Sequence, residues 1–66
     1  MNRIQLEELF EQYLDHFCAY LYGGESLYPV FCQISFTIMD SPFYSDSEKI
    51  QRLSVLRDAL ADALYC

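Results

Sequence analysis

A small all-α domain of three helices is the fold this sequence predicts, and three observations predict it. Two segments repeat apolar residues at steps of three and four, a diglycine ends the first, and a capping signal opens the last. The chain has 66 residues, which is one domain's worth, so 1–66 is read as a single unit.

The first helix is expected over 4–22. Leu6, Leu9, Phe10, Tyr13, Leu14, Phe17, Tyr20 and Leu21 form one apolar stripe. Glu8, Glu11, Gln12 and Asp15 take the opposite face, with Glu7 at its margin. Asn2 is the expected N-cap, and Glu7 and Glu8 suit the positive end of the helix dipole, whereas Arg3 does not. Gly23-Gly24 supplies a left-handed stop.

The last helix begins at a capping box, Ser45-Asp46-Ser47-Glu48. Ile50, Leu53, Leu56, Leu60 and Leu64 follow at helical steps, with Ala59 and Ala63 on the flank. Glu48 and Arg52 are spaced to pair, which adds only about 0.2–0.5 kcal/mol. Asp58 and Asp62 are like charges at that same spacing, and they lie toward the end of the helix where the dipole disfavours anions. Local helix energetics do not account for them. Either solvation or a basic contact elsewhere does.

The middle segment, 26–40, admits two readings. At period two, Cys32, Ile34, Phe36 and Ile38 alternate with Gln33, Ser35 and Thr37, as in a strand. At period 3.6, Gln33, Thr37 and Asp40 make one narrow polar stripe on a strongly apolar helix. Ser26 would cap that helix and Pro29 would fall in its first turn, where a missing N–H costs little. The helix is preferred. A lone strand between two helices would need a partner strand from another chain. Both readings leave apolar surface on more than one face, so self-association as a homodimer is expected, with Phe36→Asp disrupting folding or dimerisation.

The connection over 40–44 reads as a turn carrying two aromatics, Phe43 and Tyr44. They either plug the end of the bundle or stand out as anchors. The position four residues into the next helix is Lys49, so Tyr44 has no local apolar staple.

Ten acidic residues against four basic ones give a net charge of −6. Phosphate recognition needs clustered Lys and Arg, so direct nucleic-acid binding and anionic membrane surfaces are disfavoured. The charge suits a partner with a basic surface; the plainer reading is that it keeps an apolar small protein soluble. Three cysteines, an odd number with no CxxC, do not suit a disulfide-stapled secreted domain. The start of the chain carries acids where an apolar signal core would begin, and the uncharged stretch over 26–39 is too short to span a bilayer. A reduced, cytoplasmic protein is the expectation.

Little here points to catalysis. His16 is the single histidine, and its ligand-type neighbours Asp15 and Cys18 lie on different helical faces, so a surface histidine is expected rather than a metal ligand. No cysteine has a base or helix N-terminus beside it; Cys18 and Cys32 are expected in the core, and Cys66 is no prenylation box. Gly23-Gly24 is too short for a phosphate loop, and Glu25 follows it. The chain is therefore read as a non-enzyme, with neither metal nor cofactor.

Surface chemistry remains. Ten of the eleven aromatics fall within 10–44, and a fold of this size buries only about 60% of the surface its unfolded chain exposes. Some of the aromatics are therefore expected at a protein interface: Tyr13, Tyr20, Tyr22, Tyr28, Phe31, Phe36, Phe43 and Tyr44. Acids Glu7, Glu8, Glu11 and Asp15 would edge them and steer the protein to a basic surface. An adaptor, or an inhibitor that occludes a larger intracellular protein, fits this pattern. A second reading is an acidic nucleic-acid mimic of the phage anti-defence type, using the same four acids. A third is a small structural subunit of an assembly.

Overall fold

The computed structural model describes residues 1–24 and 26–65, so the readings placed on Glu25 and Cys66 lie outside the described residues. Three helices follow one another: α1 (Arg3–Tyr22), α2 (Leu27–Asp40) and α3 (Asp46–Tyr65). The described residues contain no strand, so the helix–strand–helix alternative is overturned. The reason is local: as a helix, 27–40 satisfies its backbone within itself, whereas a lone strand would leave its N–H and C=O groups unpaired.

Each helix end has an identifiable cause. The Gln5 N–H donates to Asn2 Oδ1 at 2.8 Å and the Asn2 N–H donates to Gln5 Oε1 at 3.0 Å, which closes a capping box at α1. At the other end Gly23 keeps right-handed geometry, and Gly24 carries the positive φ of 75° that ends the helix. Ser26 sits at the N-cap position of α2, but its side chain accepts no capping bond. Pro29 falls in the first turn of α2. The Lys49 ammonium donates to the Met39 carbonyl at 2.7 Å, placing a cation on an otherwise unpaired acceptor at the negative end of α2. Ser45 accepts from the Glu48 N–H at 3.2 Å, while the Glu48 carboxylate turns along α3 to Arg52 at 3.5 Å.

α3 contacts α1 most extensively and α2 next, while α1 and α2 meet least. With Cα extents of 34 × 24 × 13 Å, the molecule is a flattened bundle with α3 as the shared element. The Met1 nitrogen donates to Gln51 Oε1 at 3.0 Å, and Arg52 stands beside Tyr13, which joins the N-terminal half of α1 to the start of α3. The Lys49 bond to Met39 brings the end of α2 to that same end of the bundle. The path is therefore up, down, up.

The core cluster comprises Phe17, Leu27, Val30, Ile38, Leu56, Ala59 and Ala63, and Leu9 is also buried. Phe17 and Leu56 have no exposed surface. Half-buried Phe10, Tyr13, Leu14, Tyr20, Phe31, Ile34, Tyr44, Leu53 and Leu60 pack around the cluster. Ile50 and Leu64 belong to α3's apolar stripe by spacing, yet both are exposed. Cys32, expected in the core, is exposed as well. It lies between Tyr28 and Phe36 on the outward line of α2.

Phe17→Ala should therefore destabilise the protein by about 3–5 kcal/mol, the range for removing a buried ring. Phe43→Ala should stay within about 0.5 kcal/mol of the parent, since that ring is exposed. Urea unfolding of the two variants checks this contrast.

Candidate interaction surface

The aromatic residues singled out by sequence divide by location. Tyr13, Tyr20, Phe31 and Tyr44 are half-buried and pack against the core, which leaves each only part of its surface. Tyr22, Tyr28, Phe36 and Phe43 are exposed. Glu7, Glu8, Glu11 and Asp15 are all exposed along α1.

Tyr20 sets its ring edge-on to His16, with centroids 5.2 Å apart at 62°. That is the one aromatic ring pair among the described residues, so Tyr13, Tyr20, Tyr22 and Tyr28 do not form a stacked cluster. His16 is a surface residue, as its isolation in the sequence suggests.

The outward face of α2 carries exposed apolar side chains. Tyr28, Cys32, Phe36 and Met39 follow one another at steps of three and four, and all are exposed. Tyr28 is 65% exposed, Phe36 60%, Met39 44% and Phe43 89%, which is a large apolar area for side chains that bury roughly 150–250 Å² each when aromatic. Phe36 and Phe43 share a shallow open groove with Gln33, Thr37, Asp40, Ser41 and Pro42. The Phe43 N–H donates to Ser41 Oγ at 3.2 Å, closing the turn that holds this ring outward. Asp40 is the single charged residue on α2. The acids expected to edge the aromatic anchors, Glu7, Glu8, Glu11 and Asp15, lie on α1.

Phe43 and Tyr44 thus part company. Tyr44 packs inward beneath the Arg52 guanidinium, which lies 4.0 Å from the ring centroid. The missing apolar staple is replaced by a cation. Arg52 also pairs with Glu48 and stands close enough to Tyr13 to oppose the rise in its pKa, so one half-buried side chain lies where α1, the α2–α3 turn and α3 meet. Nothing in the local sequence marks Arg52 for this role; it needs the topology that brings the three parts together.

All four basic side chains are engaged: Arg3 with Glu7 at 3.2 Å, Lys49 with Met39, Arg52 with Glu48, and Arg57 with Asp58 at 3.3 Å. Among the described residues, Glu8, Glu11, Asp15, Asp40, Asp46 and Asp62 have no such ion pair. The described residues hold no group of three or more His, Cys, Asp or Glu side chains placed to bind a metal ion. No described helix is long and apolar enough to cross a membrane. No protein family, curated protein or solved structure matches this chain.

Burial raises the Tyr13 hydroxyl above its ordinary value of 10.0; the hydrogen bond and charge of Arg52 oppose that rise, and Tyr44 adds to it. A raised value in the folded state means that Tyr13's contribution to stability is complete below about pH 10 and is lost as pH climbs through the folded value. Tyr13→Phe removes that ionisation. Its unfolding free energy should therefore fall less than the parent's between about pH 9 and pH 11. Urea titrations of both proteins at the two pH values check it, and parallel losses would contradict the assignment.

Proposed function

We propose that this protein is a non-enzymatic interaction module, an adaptor or inhibitor that docks on a larger intracellular protein and covers part of its surface. The observation that supports this most is the uncharged outward line of α2, Tyr28, Cys32, Phe36 and Met39, continued by Phe43. Exposed apolar surface of this extent on a small folded domain marks an interaction site. Tyr and Phe anchors supply area at low entropic cost, and the Tyr28 hydroxyl can keep a polar contact at the rim. A second copy of the chain fits the same line, because a homodimer formed there would not bring the acids of α1 and α3 together.

A second reading rests on a different surface. Glu7, Glu8, Glu11 and Asp15 stand exposed on α1, so an acidic mimic of nucleic acid, blocking a nucleic-acid-binding enzyme, would act through them. A net charge of −6 is sparse for mimicry, and Glu7 is already paired with Arg3.

Phe36 is exposed in the monomer, so Phe36→Asp is expected to keep the helical circular dichroism of the parent. It should lose the partner retained from native-cell extract, and any self-association seen by sedimentation. The parent's retention should survive salt of about 1 M, where the Debye length is about 3 Å. Retention by Phe36→Asp, combined with release by salt, would refute the apolar reading and favour mimicry.

A further inference from the structure

We infer that a second surface, the groove between α1 and α3, receives an amphipathic helix of a partner protein that carries Lys or Arg beside its apolar residues. This inference rests on reading the protein as an interaction module and gives it a port distinct from the α2 face.

Leu6, Phe10 and Leu14 of α1 and Val55 of α3 form the groove floor, all half-buried. Its rim carries Glu7, Glu11 and Asp58, with Arg3 as the one cation. Arg3 is occupied by Glu7 at 3.2 Å, and Asp58 holds Arg57 from outside the groove at 3.3 Å. Glu11 has no ion pair. The acid rows run on beyond the groove, since Asp15 follows Glu11 and Asp62 follows Asp58 at four-residue steps on exposed positions. No residue of α2 lines this groove.

Two physical facts select the occupant. An apolar floor between acidic rims is complementary to a segment with an apolar stripe flanked by cations. Both walls are helices whose backbone groups are already paired, so no strand edge is offered and the incoming segment must satisfy its own backbone, which a helix does. From residue 3 to residue 14 the α1 wall runs roughly 17 Å, room for about three turns of such a helix. The placement also gives Asp58 and Asp62 a purpose. Their like charges at helical spacing, near the negative end of α3, oppose folding and favour a cationic guest.

The test uses the full chain and a Leu/Lys peptide of about five turns, with leucines at heptad a and d positions and lysines beside them. Calorimetry should show binding, and amide shifts should move chiefly at Leu6, Phe10, Leu14 and Val55. A Lys/Ser peptide of equal charge should bind at least about tenfold more weakly, because it has nothing to bury on the floor. Glu11→Lys with Asp58→Lys should weaken the Leu/Lys peptide by about tenfold or more, and the isosteric pair Glu11→Gln with Asp58→Asn should act in the same direction. Glu8→Lys with Asp40→Lys, acids off the groove, should change affinity by less than about twofold.

Absence of binding, equal binding of the Lys/Ser peptide, or equal loss in both pairs of Lys variants would overturn the groove. Phe36→Asp should bind the Leu/Lys peptide like the parent, so failure of the groove and failure of the α2 face are read separately.

Discussion

The bundle depends on how closely α3 can approach α1, and Phe17 sets that approach. Its ring is wholly buried in a cluster with Leu56, Ala59 and Ala63 of α3, where two alanines leave the space that an aromatic ring fills. α3 makes its most extensive contact with α1, and α2 is left to pack mainly on α3. A helix supported chiefly by one neighbour turns a large part of its circumference outward. Leu27, Val30 and Ile38 face the core, and the outward part carries Tyr28, Cys32, Phe36 and Met39 beside the polar Gln33, Thr37 and Asp40. The exposed line is thus a geometric consequence of a small core, and it persists because Lys49 and Arg52 fasten the end of α2 and the following turn through polar contacts.

The same arrangement separates charge from hydrophobicity. Nearly all ionised side chains lie on α1 and α3, while α2 contributes Asp40 alone. A protein that only needed solubility would gain most by interspersing acids with its exposed aromatics. Here most acids are kept away from the exposed aromatics, with Asp40 alone on the α2 face and an acid-rimmed groove between α1 and α3. Such a division suits a molecule that meets two kinds of surface, as an adaptor does.

The elements legible in the sequence were those with a strong one-sided pattern. α1 and α3 could be placed from the spacing of Leu and Phe residues, and their ends from Asn2, the diglycine and Ser45, because caps and left-handed stops are local chemistry. α2 was open to two readings since Gln33 and Thr37 fit a period of two with Ser35 and a helical period with Asp40. Its apolar residues do not themselves say which of them face in, so Ile38 is buried and Cys32 exposed. Ile50 and Leu64 obey the stripe but are exposed, which spacing alone does not reveal. The groove floor was visible as part of α1's stripe, but its pairing with Val55 and Asp58 required the third dimension.

The central claim is that α2's outward line is the working surface, and hydroxyl-radical footprinting tests it most directly. The protein would be labelled alone in buffer and again after addition to native-cell extract, with side-chain oxidation quantified residue by residue. Tyr28, Phe36, Met39 and Phe43 should lose labelling in the extract, while Tyr65, also exposed but at the far end of α3, should keep its level. Uniform labelling of all five in both conditions, or protection of Tyr65 with α2 unchanged, would contradict the account.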